Sequence, residues 1–312
     1  MPPAPPFPAG RRLWITLRRF GSLVRISHTL FGLPFALACA ELAHRHAAAQ
    51  GRAGLNATRL VWIVLAFTGA RTAAMGFNRI VDRRFDAANP RTAGRELPRG
   101  AISLPAARIL TAFAGLLFLG SAAALGPWPL ALSVPCLLLV LGYSYVKRFS
   151  WSSHMILGLA LALAPGGAWV AIAGDLAAWE VPTLMMLAVA TWVAGFDVLY
   201  SLQDIECDRA QKLHSIPARF GVRGSLVWSA LLHALTIAAL IRLHLHAGLG
   251  PWHAIGLAAV ALILVYEHLI VRPTDLTAID RAFFDLNGYI SIVYLACTSL
   301  EVYAPSWPWA SL

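Results

Sequence analysis

Nine apolar stretches run through this 312-residue chain, at roughly 29–45, 59–77, 105–126, 128–145, 154–173, 181–200, 225–246, 252–270 and 283–303. Each is near the ~20 residues that a helix needs to cross a hydrocarbon core. Backbone polar groups in lipid must be satisfied internally, which a helix does within its own segment. The expected fold is therefore all-α, a polytopic membrane protein with about nine transmembrane helices. Composition points the same way: 58% of residues are hydrophobic and 13% charged, against ~25% charged in a soluble domain, and the mean hydropathy is +0.66.

Lys and Arg number 25 against 15 Asp and Glu, a balance that in a soluble chain would suggest nucleic acid. Here the positive charge alternates from loop to loop. Five arginines precede the first span, six lie around residues 79–99, and others follow spans 4, 6 and 8, whereas the opposite loops hold only Arg45, Arg52 and Arg59. The positive-inside rule then places the N-terminus and the even-numbered loops in the cytoplasm, and no nucleic-acid partner is expected. The opening "MPPAPPFPAG" and the arginines after it form no secretory signal. A partly disordered segment over 1–26, one transmembrane domain over 27–304 and a short tail over 305–312 are expected. Cys39, Cys136, Cys207 and Cys297 form no C-x-x-C pair, so neither structural zinc nor a disulfide framework is expected.

Two charged segments interrupt this apolar background. "FNRIVDRRFDAANPRTAGRELPRG" (77–100) follows span 2 and "DVLYSLQDIECDRAQKLHSIPARFG" (197–221) follows span 6. On a helix, Asn78, Asp82 and Asp86 recur at i, i+4 and i+8, and Asp204 and Asp208 at i and i+4, so each segment stacks oxygen ligands on one face. Carboxylates so spaced repel, and hard oxygen donors without His or Cys suit Mg²⁺, which binds one or two carboxylates together with substrate phosphates. Arg83, Arg84, Arg91, Arg95, Lys147 and Arg148 are the cations available to grip phosphate oxygens. Ion pairing with neighbouring arginines would account for one such column alone. Two columns on one membrane face, four spans apart, favour a metal–diphosphate site beside an apolar chamber for a lipid tail.

The pattern N-x-x-x-D-x-x-x-D in "NRIVDRRFD", the D-x-x-x-D of "QDIECD", "YSYVKR" (143–148) and "RELPRG", set among nine spans, resemble the UbiA superfamily of intramembrane prenyltransferases. The longer strings "HTLFGLPFA", "APGGAW" and the two charged segments are similar to its 4-hydroxybenzoate polyprenyltransferase and MqnP-like branch, the latter serving futalosine-dependent menaquinone synthesis. The chain has His28-Thr29 where ubiquinone-branch members commonly carry K-P, and His214 where they carry Lys.

The resemblance implies a UbiA-like helical bundle around a lateral apolar chamber. It also implies transfer of a polyprenyl group from polyprenyl diphosphate to a small aromatic acceptor, either 4-hydroxybenzoate or 1,4-dihydroxy-6-naphthoate, in quinone biosynthesis. Asn78, Asp82 and Asp86 would hold one Mg²⁺, and Asp204 and Asp208 a second, the two bridging the diphosphate. Glu206 points elsewhere on a continuous helix. Arg95, Lys147 and Arg148 are candidate diphosphate clamps, while lipid headgroups or solvent are equally good partners for Arg83 and Arg84. Tyr143 and Tyr200 are candidates to stabilise the allylic cation. Asp197, deeper in the membrane, is a functional candidate by its position, either orienting Lys147 or binding near the acceptor. Arg25 is a candidate for an acceptor carboxylate, and His28 and His154 are read as interfacial hydrogen-bonders. The expected setting is the bacterial inner membrane, with lipid around the bundle and no obligate protein partner.

Two other classes compete. A secondary transporter also uses intramembrane acids, but it favours broken helices at the bilayer midplane. A CDP-alcohol phosphotransferase uses clustered Asp with Mg²⁺, and its D-G-x-x-A-R signature is missing from this sequence.

Overall fold

The computed structural model describes residues 20–23, 29–176 and 178–304. The expectations for Arg25, for His28 and for most of the N-terminal segment and the C-terminal tail lie outside the described residues. The long helices, in chain order, are α1 (Thr29–Ala49), α2 (Ala57–Ala88), α3 (Leu104–Leu125), α4 (Pro127–Val146), α5 (Ser153–Ala173) and α6 (Glu180–Tyr200). A 3₁₀ turn (Ser201–Asp204) leads into the short α7 (Ile205–Ala210), and α8 (Ile216–His246), α9 (Pro251–Ile270) and α10 (Asn287–Tyr303) complete the set. Among the described residues, eight helical stretches are long and apolar enough to cross a bilayer. The other long helix, α1, carries Glu41, His44, Arg45 and His46 in its last turns and packs its apolar side against α5 and α10. The fold is the expected all-α membrane bundle.

Several helix ends differ from the sequence-based boundaries, and the differences shape the site. The apolar run of span 2 ends near residue 77, but α2 continues unbroken to Ala88. Its 32 residues rise ~48 Å at ~1.5 Å each, well beyond a ~30 Å hydrocarbon core, so its last turns carry Asn78, Asp82 and Asp86 past the apolar layer. Asn56 caps the other end, its side chain accepting from Arg59 N at 2.9 Å. The second acidic segment is not one continuous α-helix, because the 3₁₀ turn at Ser201–Asp204 separates Asp197 from Asp208. Span 7 likewise starts earlier than expected, at Ile216, and bends at Gly221, whose φ of 68° a side chain would disfavour.

The core lies where α1, α5, α6, α8 and α10 meet. Phe35 stacks on Tyr294 (centroids 4.9 Å apart) and touches Trp192, and all three rings are buried. A π-helical turn at Ala282–Leu286 precedes α10. Such turns loosen the helical hydrogen-bond ladder, and buried Asn287 satisfies the freed carbonyls of Ala282 and Phe283 (3.1 and 3.2 Å) while accepting from Trp192 Nε1 at 2.8 Å. Close helix approaches rely on small residues, as membrane packing favours: a Cβ at Gly158 would lie 2.1 Å from Ala190 O, joining α5 tightly to α6.

Candidate active site

The inward face of α2 carries the first column. Asp82 and Asp86 are buried, and Asn78 Nδ2 donates to Asp82 Oδ2 at 3.0 Å. Lys147, just past the end of α4, places Nζ 2.5 Å from the same Asp82 oxygen, with Arg148 Nη2 3.7 Å from Oδ1. Asp86 meets Arg95 Nη1 at 2.5 Å and Arg79 at 3.9 Å, and Thr92 closes the loop by donating to the Asp86 carbonyl. The segment after α2 therefore folds back over its own acids.

That segment also ties the two columns together. Asp204 Oδ1 accepts from Asn89 Nδ2 and from Arg91 Nε, both at 2.9 Å, while Arg91 Nη2 bonds to Oδ2. Arg91 Nη1 reaches Tyr200 OH at 3.0 Å, and the guanidinium lies over the Tyr200 ring. Burial works against the Arg91 charge, but Asp204 and Tyr200 outweigh it and hold the guanidinium above its ordinary range. Asp208 accepts from Ser215 Oγ at 2.8 Å, and the same hydroxyl accepts from Ala218 N as the N-cap of α8. One serine thus starts α8 and orients the acid. Glu206 is exposed.

Tyr200 also stacks on Phe283, centroids 4.0 Å apart, so its ring is engaged by protein groups on both counts. Tyr143 instead lines a chamber of about 500 Å³ enclosed by α1 to α5 and the start of α6, walled by Phe67, Phe118, Leu139, Val140 and Met186 among other apolar side chains. Among the described residues the charged side chain lining it is Arg71, with its Nε buried and without a hydrogen bond. Arg71 lies seven residues before Asn78, two turns deeper on the same face of α2. Arg71 is not among the candidate site residues drawn from the sequence. An arginine inside an apolar run, in register with the acid column, was the available signal.

Asp197 does not orient Lys147, which is bound to Asp82. Its Oδ2 lies 2.7 Å from Nδ1 of buried His154. His154 Nε2 accepts from Ile216 N at 3.3 Å, which leaves Nδ1 to carry the proton donated to Asp197. His154 is thus a buried link between α5, α6 and the start of α8.

Among the described residues no three His, Cys, Asp or Glu side chains converge as a preformed metal cage. The acids do fit an ion that takes part of its shell from substrate and water. Asp82 Oδ1 and Asp86 Oδ2 are buried and make no hydrogen bond, with Arg148 and Arg79 standing off at 3.7 and 3.9 Å, so each oxygen keeps the capacity to take a closer cation or donor. Oxygen donors, two carboxylates in each segment and the Asn78 amide in the first, match Mg²⁺ bound together with phosphate.

The fold and site define a class: a helical integral membrane protein with an acid-and-arginine rim above an apolar chamber. The description of the UbiA prenyltransferase family matches residues 33–289. A UbiA homolog from Aeropyrum pernix K1, in its apo structure, shares the fold with a TM-score of 0.78 at 35% identity, over 86% of this chain and 96% of that one. A UbiA homolog from Archaeoglobus fulgidus bound to GPP and Mg²⁺ shares it with a TM-score of 0.68 at 20% identity, over 91% and 99%. In sequence, the chain is 33% identical over 247 residues to 4-hydroxybenzoate octaprenyltransferase from Alcanivorax borkumensis, 78% of this chain and 84% of that protein. It is 30% identical over 245 residues to the same-named protein of Aeromonas salmonicida, covering 76% and 81%. The chain belongs to the UbiA prenyltransferase family and is a membrane-embedded prenyltransferase.

Proposed function

We propose that this protein transfers a polyprenyl group from polyprenyl diphosphate to the ring of an aromatic carboxylic acid of the 4-hydroxybenzoate type, with Mg²⁺ and release of diphosphate. The observation that carries this reading is Arg71. A guanidinium with an unpaired Nε, held in an otherwise apolar chamber beneath a phosphate-ready rim, calls for a small anion that also fills apolar space. An aromatic acid supplies both, and the octaprenyltransferase relatives act on one by name.

In this reading Asn78, Asp82 and Asp86 would hold one Mg²⁺, and Asp204 and Asp208 the other. Bound metal neutralises charge on the departing diphosphate. Lys147, Arg148 and Arg95, now on carboxylates, are placed to exchange part of that pairing for phosphate oxygens. The allylic C–O bond breaks, its electron pair leaving with diphosphate. The apolar walls exclude water from the cation, and the face of Tyr143 steadies it. Arg71 holds the acceptor carboxylate so that a ring carbon meets the cation, and the ring then sheds its proton. A second acceptor, 1,4-dihydroxy-6-naphthoate, presents the same carboxylate to Arg71, and the menaquinone-branch strings in the sequence favour it. By the positive-inside rule the rim faces the cytoplasm of a bacterial inner membrane.

The test is incubation of purified protein with polyprenyl diphosphate and Mg²⁺, offering each acceptor separately, with product read by mass spectrometry. Prenylation of one acceptor, abolished by chelation and by Asp82→Ala or Asp204→Ala, is expected. Failure with both acceptors despite Mg²⁺-dependent donor binding would reject the aromatic-acid assignment.

A further inference from the structure

The outer side of α2 carries a second basic surface, which borders the rim at Arg148 and whose other arginines the transfer reaction does not use. Turning 100° per residue, α2 points Asp82 and Asp86 inward and Phe77, Ile80 and Arg84 to the far side. There a groove of about 730 Å³ runs between α2, α3 and α4, walled by Phe77, Ile80, Leu116, Leu119, Leu137 and Leu141. Its end nearest the acid rim is crowned by Arg83 from α2, Arg108 from the first turns of α3, and Arg148 after α4. A second hollow of about 640 Å³ shares Val81, Arg83 and Arg148 with it and adds Arg84 and Gln211. The two make one amphipathic trough, cationic at the level of the rim and apolar toward the membrane interior.

Its polar lining is one-signed. Among the described residues no carboxylate lines either hollow. Arg83 satisfies one nitrogen on the Ile80 carbonyl of its own helix, at 3.2 Å. Arg148 is the wall between trough and active site: its guanidinium lies over the Phe85 and Tyr145 rings, donates to Val81 O at 3.1 Å and stands 3.7 Å from Asp82. A metal-bound diphosphate matches acids and cations together, as in the rim. A metal-free phosphodiester on an acyl chain matches this trough, because guanidiniums bind phosphate bidentately without a counter-acid, and basic pockets between transmembrane helices are a recurrent setting for anionic headgroups.

We propose that the trough between α2, α3 and α4 is a binding site for one anionic phospholipid, its phosphate on Arg83, Arg84 and Arg108 and an acyl chain along Leu116, Leu119, Leu137 and Leu141. The inference does not rest on the reaction proposed above, since the trough lies outside the chamber, on the far side of α2 from Asp82 and Asp86, and borders the rim at Arg148.

The test is native mass spectrometry of the full chain released from nanodiscs of equal phosphatidylglycerol and phosphatidylcholine. Wild type is expected to retain phosphatidylglycerol at least several-fold over phosphatidylcholine. Arg83→Gln combined with Arg108→Gln should bring the two lipids to parity, while Arg272→Gln, on another loop, should not. Polyprenyl diphosphate added without metal should leave the retained phosphatidylglycerol in place. Equal retention of both lipids by wild type, unchanged selectivity in the double variant, or displacement by the prenyl donor would each overturn the proposal. Because the first of these is read on wild type, it decides the matter even if the double variant fails to fold.

Discussion

Lys147 Nζ stands 2.5 Å from Asp82 Oδ2, tying the end of α4 to the acid face of α2. The aspartate side chain is 3% exposed and the lysine 32%, so the cation of this pair faces the rim while the anion is sealed beneath it. On the proposed reading, a diphosphate arriving at the rim would meet Lys147 first, with Asp82 holding the lysine in place.

Replacing this lysine should therefore weaken donor capture more than turnover. A charge-assisted hydrogen bond contributes ~1.5–3 kcal/mol, so Lys147→Met is expected to raise the donor KM ~10- to 100-fold with the acceptor KM little changed. Lys147→Arg should recover most of the loss. Steady-state kinetics at saturating Mg²⁺ checks this, and an unaltered donor KM in the methionine variant would remove Lys147 from the clamp.

Arg71 predicts the opposite split. Arg71→Leu takes the charged partner from the chamber and is expected to raise the acceptor KM by ~10- to 100-fold on the same scale, leaving the donor KM unchanged. Binding of a 4-hydroxybenzoate series settles the contact. If the ester and the free acid bind wild type equally well, Arg71 does not read the carboxylate.

His154 makes two bonds with separable consequences. Its Nδ1 serves Asp197, and its Nε2 serves the buried Ile216 amide. His154→Asn keeps a donor near the Nδ1 position but abandons Ile216, at a cost of about 1–3 kcal/mol for an unsatisfied buried group. It should lower the melting temperature while keeping most of kcat. His154→Phe loses both bonds and should lower both. Equal kcat in the two variants would show that Asp197 needs no such partner.

Packing of α5 on α6 depends on the bare backbone at Gly158. Gly158→Ala puts a methyl against a carbonyl that cannot rotate away, and overpacking of this kind destabilises by about 1–3 kcal/mol. Gly167→Ala, on the same helix with nothing within 4 Å of its added carbon, should be close to neutral. Thermal melting of the two variants in one detergent provides the comparison.

The membrane class and helical fold were legible because each depends on local quantities: the length of an apolar run and the charge of the loops between. The first acid column was legible for a similar reason, since i, i+4 spacing survives along the continuous α2, whereas a 3₁₀ turn at Ser201–Asp204 interrupts the second. Boundaries were less so. The apolar run of α2 stops near residue 77, but a helix needs no lipid to continue, and Asn78 to Ala88 prolong it into the polar layer. Tyr200 and Tyr143 look alike in sequence as aromatics near a span end. Only packing separates them, because Phe283 and Arg91 engage one ring and the other lines the chamber.

The sequence by itself determined that the chain crosses a membrane as helices, that its acids fall in two segments at the ends of spans, and that cations lie beside them. Periodicity and hydropathy act within a segment, and segments are what a sequence displays. The tertiary structure alone decided which basic side chain meets which acid: Lys147 on Asp82, Arg95 on Asp86, Arg91 on Asp204, His154 on Asp197. Three of these four pairs join groups more than forty positions apart, and Arg71 gains its meaning from a chamber built by five other helices. Such pairings follow from how helices pack against one another, and no local pattern encodes them.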